Sequence, residues 1–360
     1  MTVLAVSRRR LGDLPELCRA LGQVKVAAAL ANDAPAPLLA IARRLADADP
    51  ELLAVLDADP LAGGGGIVVH RQVNELLGAD DAGRSQSTAD VCHTAARLAV
   101  GAALDHLDGA LGALEVALAG AAERFGDAPT LARTCLQDAV AVPASLLPEG
   151  ASAAVARRRG TLAAARAPLD LVVLGATVVG TGAGAPATYR STVVGHLGVA
   201  CGRPLQPHPS PASALQHGDD LLDVLGALEA AALVVAKVAQ DLRLLSSGPG
   251  GGLGEVRLPK VMEGSTFFAA KNNPVVPETA VQAASLAAGA AAQGRAAAAR
   301  AELHLAGYDL TVAVAALDAA GALAAGTEAL ATDAVAGMEL DAARCAELAT
   351  FATPTKGDRP

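Results

Sequence analysis

The chain has 360 residues, of which 52% are hydrophobic, and it carries 28 basic against 37 acidic side chains. This apolar fraction is enough for a large buried core and excludes an intrinsically disordered chain. The net charge of −9 disfavours binding to nucleic acid or to an anionic membrane, which needs clustered Lys and Arg. The aromatic residues are four Phe and two Tyr, so Ala, Leu and Val must build the core, as in helix–helix interfaces.

Apolar residues recur at helical spacing over most of the chain. Residues 11–59 are predicted to be helical, and four consecutive glycines at 63–66 interrupt the pattern. The period resumes near Asp90 and continues to Gly126, which predicts one very long helix. Four comparable stretches follow at residues 145–174, 211–245, 275–305 and 311–338.

These elements predict an all-α protein. We expect a small N-terminal helical domain over residues 1–88 and a central bundle of five long helices over residues 89–338. Neither a signal peptide nor a membrane span is predicted, because charged residues or glycines interrupt the candidate apolar segments. The five cysteines are widely spaced and form no CxxC pair, which favours a reducing cytoplasm.

The loops between the predicted helices hold most of the polar side chains. The segment Gly264-Ser-Thr-Phe-Phe-Ala-Ala-Lys-Asn-Asn-Pro274 combines a serine beside a glycine with a fixed positive charge, which suits a mobile catalytic loop. The simpler interpretation is a polar interhelical loop. Ser87 and Thr88 precede the long helix, where one hydroxyl is explained by N-capping, and Thr134 has a turn as its simpler interpretation.

Taken in order, several segments resemble signatures of the aspartase/fumarase superfamily of fumarate-forming lyases. The most specific resemblance is that of residues 264–274, which match the family pattern Gly-Ser-Ser-x-Met-Pro-x-Lys-x-Asn-Pro at its polar positions. Supporting segments are Pro15-Glu-Leu-Cys-Arg-Ala-Leu-Gly-Gln-Val-Lys25, Ser85-Gln-Ser-Thr-Ala-Asp90, Arg133-Thr-Cys-Leu-Gln-Asp138 and Gly175-Ala-Thr-Val-Val-Gly-Thr-Gly182.

The resemblance implies a cofactor-independent reaction without a metal, in which Ser265 removes a proton beside a substrate carboxylate. It also implies that a small dicarboxylate is bound by Ser87, Thr88, Thr134, Thr266, Lys271 and Asn273. Members of the family assemble as homotetramers, and each active site combines loops from different subunits. We therefore expect a homotetramer with composite active sites.

The chain departs from the family pattern around the group that leaves the substrate. Ala89 stands where the family has Asn, Cys135 where it has His, and residues 67–72 replace a Thr/Ser-rich loop and introduce His70 and Arg71. These changes favour a carbon–nitrogen lyase whose leaving group is not simple ammonia. The alternatives are a hydratase similar to fumarase and a non-catalytic relative that serves as a binding or scaffold subunit. We also expect residues 339–360 to form a residual tail in place of the family's small C-terminal domain.

Overall fold

A computed structural model describes residues 5–78, 81–262, 267–268 and 271–354. Within these ranges the fold is predominantly helical, which confirms the predicted class. The α-helices of the described chain are α1 (Pro15–Ala31), α2 (Ala36–Ala46), α3 (Pro50–Val55), α4 (Ile67–Leu77), α5 (Thr88–Phe125), α6 (Leu146–Arg166), α7 (Ala187–Cys201), α8 (Pro211–His217), α9 (Asp219–Leu245), α10 (Val275–Ala298), α11 (Asp309–Ala329) and α12 (Ala342–Ala349).

Short strands accompany the helices. The strands are β1 (Pro129–Thr134), β2 (Gln137–Pro143), β3 (Leu171–Val172), β4 (Gln206–Pro207), β5 (Val256–Arg257) and β6 (Glu339–Leu340). Strand β1 pairs with β2 and strand β5 with β6 in antiparallel register, whereas β3 and β4 are parallel. None of these sheets has more than two strands in the described residues, so helix packing provides the core.

The five predicted long helices are found as α5, α6, α9, α10 and α11, but some end earlier than expected. Helix α6 stops at Arg166, and a 3₁₀ turn containing Pro168 follows, because proline has no N–H for the next helical bond. The stretch 211–245 is broken at Gly218, which has a φ of +60° and ends α8. Helices α4 and α7 and the β1–β2 hairpin were not predicted.

Two compact units make up the chain, and each is built from three segments. Unit 1 comprises Met1–Asp105, Leu162–Leu228 and Gly289–Ala320. Unit 2 comprises His106–Thr161, Glu229–Ala288 and Gly321–Pro360. The sequence-based division at residues 88 and 338 stays a prediction.

In unit 1, helix α1 packs closely against α2 and α7. A Cβ atom at Gly22 would lie 2.2 Å from the Ala46 backbone nitrogen, so only glycine permits this approach of α1 to the end of α2. Leu17, Leu21 and Val24 recur on the buried side of α1 and are fully shielded from solvent. The apolar residues that recur at the helical period therefore form the packed face of this helix.

A buried ion cluster joins three helices of unit 1. The Arg97 guanidinium on α5 is 0% exposed and donates two hydrogen bonds to the Asp220 carboxylate at 2.8 and 2.7 Å. A third bond reaches Asp309 at 2.8 Å. Because a buried guanidinium is tolerated only when it is paired and hydrogen-bonded, this cluster fixes α5, α9 and α11 relative to one another.

In unit 2, Glu255 holds the β1–β2 hairpin in place. Its carboxylate is buried and accepts hydrogen bonds of 2.6 Å from the Thr130 hydroxyl and from the Arg133 guanidinium, both on β1. The hairpin ends in a two-residue turn at Cys135 and Leu136, whose φ values of +52° and +61° both lie in the left-handed region. Turns of this kind usually contain Asn and Gly, so this turn is strained.

Among the described residues, one helical stretch, Asp309–Val335, is long and apolar enough to cross a membrane by length and composition. It combines α11 with the short π-helix Leu330–Val335. In its most apolar window, 72% of the residues are buried inside the protein. A buried core helix of a soluble protein passes the same test, and the absence of a membrane span stays a prediction.

Candidate active site at the start of the long helix

Ser87 and Asp90 form the cap that begins α5. The Ser87 hydroxyl accepts a bond of 3.2 Å from the Ala89 backbone N–H, and the Asp90 carboxylate accepts one of 2.9 Å from the Ser87 N–H. The two bonds are reciprocal, as in a capping box, except that the Ser87 hydroxyl bonds the second rather than the third backbone N–H of the helix. The capping interpretation therefore applies to Ser87, and it leaves Thr88 without a capping role.

Asp90 also anchors the glycine-rich loop at residues 175–182. Its second carboxylate oxygen accepts backbone N–H bonds from Gly175 at 3.0 Å and from Thr177 at 3.1 Å. Asp90 is completely buried, so both oxygens have protein partners. The loop thus has a structural connection to the start of α5.

Thr88 belongs to a chain of polar side chains that leads into unit 1. Its hydroxyl lies 2.9 Å from Nδ1 of His70 on α4, and Nε2 of His70 lies 2.8 Å from Nζ of Lys25 on α1. Lys25 Nζ also donates to Asn74 Oδ1 at 2.6 Å, to the Ala82 carbonyl at 3.0 Å and to Gln86 Oε1 at 2.7 Å. We call Lys25, His70 and Thr88 the polar relay.

Burial shifts the titration of two members of the polar relay. Lys25 is 1% exposed, and the loss of solvation lowers its pKa to about 7. Burial, and then the adjacent Lys25, lower the pKa of His70 to about 3. His70 is therefore a neutral imidazole at physiological pH, whereas the charge of Lys25 changes near neutrality.

A surface cavity of about 420 Å³ opens beside the polar relay. Its lining residues are Ile67, His70, Arg71, Asn74, Glu75 and Thr88. Three residues chosen from the sequence, Thr88, His70 and Arg71, are thus brought to one cavity. The Arg71 guanidinium pairs with Glu75 at 2.8 Å and remains 62% exposed.

A glycine fixes the distance between the two helices that hold this cavity. Gly66 precedes α4 with a φ of +90°, and a Cβ atom there would lie 2.7 Å from Cys92 Sγ on α5. Only glycine allows α4 to begin so close to α5. This approach places His70 within hydrogen-bonding distance of Thr88.

The remaining predicted residues occupy other positions. Ala89 is buried in a small apolar cluster with Val173, Ala214 and Leu215. In unit 2, Thr134 and Cys135 lie exposed at the tip of the β1–β2 hairpin. Ser265 and Thr266 lie outside the described residues.

Lys271 and Asn273 are exposed residues just before α10. The Lys271 Nζ atom lies 5.9 Å from the centre of the Phe268 ring, within reach of a weak cation–π interaction. The Lys271 backbone N–H donates to the Phe268 carbonyl at 3.1 Å. These contacts leave its ammonium group at the surface of unit 2.

Sequence reasoning missed Lys25, Asn74 and Gln86 as parts of the site. Lys25 is the only charged residue between Arg19 and Asp33, in the middle of a strongly apolar helix. A lone lysine on such a helix is a signal for a buried and partnered ammonium group. Its partners could not be inferred, because they come from α4 and from the loop before α5.

In the described part of the chain, no group of three or more His, Cys, Asp or Glu side chains is arranged to hold a metal ion. His93 and His70 make separate contacts. Nε2 of His93 lies 3.2 Å from the Ala214 carbonyl, whereas His70 lies between Lys25 and Thr88. The polar groups at the cavity are hydroxyl, imidazole, amide, guanidinium and a single carboxylate. Such a set suits an anion better than a metal cation.

Comparison with known proteins defines the class of this fold and site. A family model described as Lyase matches residues 7–289. A fumarate lyase:delta crystallin from Brucella melitensis, solved bound to cobalt, superimposes with a TM-score of 0.90 at 30% identity, covering 96% of this chain and 80% of that one. The chain therefore belongs to this lyase family, the aspartase/fumarase superfamily.

Among curated relatives, aspartate ammonia-lyase from Corynebacterium glutamicum is 32% identical over 342 residues, which covers 86% of this chain and 61% of that enzyme. Fumarate hydratase class II from Ralstonia nicotianae is 35% identical over 234 residues, covering 62% of this chain and 51% of that enzyme. The chain thus spans less than two thirds of the length of either relative.

Proposed function

We propose that the protein is a cofactor-independent lyase that breaks a carbon–nitrogen bond β to a carboxylate in an aspartate- or succinate-like dicarboxylate. The product would be fumarate or a close relative. The observation that carries this proposal is the cavity at the start of α5, where Thr88, His70 and Arg71 meet. A helix N-terminus with a hydroxyl and a nearby cation suits a carboxylate.

In this reaction a base removes the proton on the carbon beside one carboxylate. The electron pair left on that carbon forms the new double bond as the bond from the neighbouring carbon to nitrogen breaks, and the amine leaves with that bonding pair. Ser265 is the proposed base, and Lys271 and Asn273 bind the carboxylate on which negative charge accumulates. Stabilising this charge would be the main contribution of the protein.

The walls of the cavity support a leaving group other than simple ammonia. Ile67 contributes an apolar surface, His70 is uncharged, and Arg71 supplies a cation. The carboxylate that lines the cavity, Glu75, is paired with Arg71 at 2.8 Å. Ammonium is small and positively charged, and neither an apolar wall nor an arginine–glutamate pair favours it. A larger or anionic nitrogen substituent, such as an N-substituted amine or a nitro group, fits these walls better.

A substrate panel tests the proposed reaction. Formation of a fumarate-like double bond is followed by ultraviolet absorbance with L-aspartate, malate, N-substituted aspartates and nitrosuccinate. We expect turnover with a substituted compound to exceed turnover with aspartate and malate. Rapid ammonia release from aspartate would overturn the altered leaving group, and preferential turnover of malate would favour a hydratase. Tight binding of a dicarboxylate without any turnover would favour a scaffold subunit.

The variant Ser265→Ala tests the proposed base. Because it removes one hydroxyl and no charge, we expect dicarboxylate binding to persist while kcat falls by about 10²–10⁴-fold. Ser285→Ala is a matched control, since Ser285 is an exposed serine on α10 that bonds only its own helix, to the Val281 carbonyl at 2.9 Å. Loss of less than about tenfold with Ser265→Ala would contradict the base assignment.

We also propose a cytoplasmic homotetramer in which loops of different subunits complete each active site. The candidate binding residues are divided between unit 1, which holds Thr88, and unit 2, which holds Thr134 and Lys271. Several large apolar side chains on the long helices are exposed, among them Val116, Leu233 and Leu286, and association would bury them. Light scattering should give a tetramer mass at micromolar concentration. A monomer that turns over substrate would contradict the composite site.

A further inference from the structure

The polar relay has a direction that follows from the hydrogen-bonding capacity of each group. A lysine ammonium group has three N–H donors and no acceptor, so a proton on His70 Nε2, 2.8 Å from Nζ, would have no acceptor to point at, and Nε2 must be unprotonated beside a protonated Lys25. A neutral imidazole carries one ring proton, which must then lie on Nδ1. Nδ1–H in turn donates to the Thr88 hydroxyl oxygen. The hydrogen of that hydroxyl is left to point elsewhere.

We propose that Lys25 and His70 are positioning residues that hold the Thr88 hydroxyl as a hydrogen-bond donor toward a carboxylate in the cavity. This inference rests on the proposed function, because it assumes that the cavity binds a dicarboxylate. Thr88 lines the cavity, and its oxygen already accepts a bond from His70. Its hydrogen is therefore available to an anion, while the bond from Nδ1–H occupies one of the two lone pairs of the hydroxyl oxygen.

Loss of the proton from Lys25 reverses this direction. A neutral amine has a lone pair that accepts from His70 Nε2–H, and Nδ1 then becomes an acceptor for the Thr88 hydroxyl hydrogen. The cavity would then meet the oxygen lone pairs of Thr88 instead of a donor. Protonation of Lys25 thus decides whether Thr88 attracts or repels a carboxylate.

The surroundings of Lys25 make this change accessible near neutral pH. The charged and titratable groups that face Lys25 are His70 from α4 and Asp90 and Cys92 from α5. Burial raises the pKa of the Cys92 thiol to about 12, and the pKa of His70 is about 3, so neither changes charge near neutrality. Burial raises the pKa of Asp90 above its usual range, against the opposing effect of the backbone N–H bonds that it accepts. Lys25, whose pKa lies at about 7, changes charge near neutrality and is in direct contact with His70.

Nuclear magnetic resonance of the histidine ring nitrogens tests the direction of the relay without any ligand. The shifts of His70, assigned by their loss in His70→Phe, distinguish a ring proton on Nδ1 from one on Nε2. We expect the Nδ1–H form at about pH 6 and an increasing share of the Nε2–H form toward about pH 9. In Lys25→Met this pH dependence should disappear. An Nε2–H form at the acidic end of the range in the wild-type protein would overturn the proposal.

Succinate binding, measured by calorimetry, tests whether the relay acts through Thr88. His70→Phe leaves three oxygen partners on Lys25 and should weaken succinate binding by roughly fivefold near pH 6, with a smaller pH dependence than in the wild type. Thr88→Val should also weaken binding, and Thr88→Ser should largely restore it. In a Thr88→Val background, His70→Phe should have no further effect. The exposed His106 provides the control His106→Phe.

The two experiments separate failure of this inference from failure of the proposed function. If His70→Phe and Thr88→Val weaken succinate binding equally and additively, the inference is overturned. The proposed function is not affected by that result, because the wild-type protein still binds succinate. If the wild-type protein binds no succinate at all, the dicarboxylate function fails, and with it the assigned role of Thr88. The ring-nitrogen shifts still decide independently whether Lys25 sets the tautomer of His70.

Discussion

Two lysines illustrate how differently the two units present their candidate residues. In unit 1, Lys25 is 1% exposed and Nζ has four polar neighbours within 3.0 Å. In unit 2, Lys271 is exposed beside the Phe268 ring. The position of Lys25 is set by folding alone, whereas the surface position of Lys271 leaves its ammonium group available to an incoming anion. A buried, fully bonded group supports a site, and an exposed one can contact the substrate.

This difference extends to the other candidate residues. The Thr88 hydroxyl is already held by His70 within unit 1. Thr134, in contrast, lies at an exposed hairpin tip of unit 2. The comparison therefore predicts that variants in unit 2 mainly change catalysis, while variants of the Lys25 network also change stability.

The largest expected effect is on catalysis, in Lys271→Met. Loss of the cation that we propose stabilises the developing charge should lower kcat/KM by about 10²–10³-fold. Because Lys271 is exposed, the free energy of unfolding should change by less than about 0.5 kcal/mol. Steady-state kinetics and denaturant unfolding measure both quantities on one sample.

Lys237→Met is the matched control for this variant. Lys237 is 66% exposed on α9 and pairs with Asp241 one turn later. It should lose neither activity nor much stability. If Lys271→Met destabilised the protein by several kcal/mol, the contrast between the two lysines would be wrong.

The second effect is on stability, in Lys25→Met. Methionine replaces the apolar stem of lysine but leaves His70 Nε2 and the side-chain oxygens of Asn74 and Gln86 without their donor, while the Ala82 carbonyl keeps its bond of 3.0 Å from Gln86 Nε2. Unsatisfied buried acceptors cost about 1–3 kcal/mol each, and two of these residues are half-buried, so we expect a loss of about 3 kcal/mol. Denaturant unfolding provides the measurement. A stability equal to that of Lys271→Met would show that the buried network contributes nothing.

A smaller effect is expected on the pH dependence of the free energy of unfolding. The folded-state pKa of Lys25, about 7, lies below the ordinary value of 10.5. Between these values the unfolded chain binds a proton that the folded protein has released, so stability from this group rises with pH by about 1.4 kcal/mol per unit. Below pH 7 Lys25 is protonated in both the folded and the unfolded state, and its contribution to the free energy of unfolding is constant. The stability difference between wild type and Lys25→Met should therefore widen from about pH 7 to pH 8.5. A constant difference would contradict the lowered pKa.

The smallest effect is expected at the hairpin tip of unit 2. Leu136 has a φ of +61°, a conformation that glycine adopts without strain. Leu136→Gly should therefore raise the free energy of unfolding by up to about 1 kcal/mol. Val140→Gly, in the neighbouring strand β2, is the control. Val140 has no positive φ, so glycine at this position should lower the free energy of unfolding. Destabilisation by Leu136→Gly would show that the exposed leucine makes a contact outside this hairpin.

The helices were predicted well from the sequence, because the recurrence of apolar residues that indicates a helix is contained within the helix itself. Leucines at positions such as Leu104, Leu107, Leu111 and Leu114 recur at the helical period, and all are buried on α5. The β1–β2 hairpin escaped prediction since its strands are mostly exposed and lack a clear apolar alternation. Its turn also lacks the usual Asn-Gly signal.

The candidate site was predicted only in part, because its contacts are long-range. Thr88, His70 and Arg71 were chosen from the sequence and now line one cavity. The role of Lys25 was not foreseen, since its partners lie 45 to 61 residues away along the chain. A sequence pattern locates a residue on an element but does not show which distant element it will meet. The assignments of Ser265 and Thr266 stay predictions.

At the start of α5, adjacent residues have separate roles, since Ser87 caps the helix and Thr88 lines the cavity. Ser87 and Asp90 hold the first turn through their own hydrogen bonds, so the helix does not depend on the hydroxyl at position 88. Position 88 can therefore change without unravelling the helix, while position 87 tolerates only other good capping residues. In laboratory evolution, new specificities should arise by substitution at 88 and in the adjoining turn of α4, with residue 87 kept as Ser, Thr, Asp or Asn.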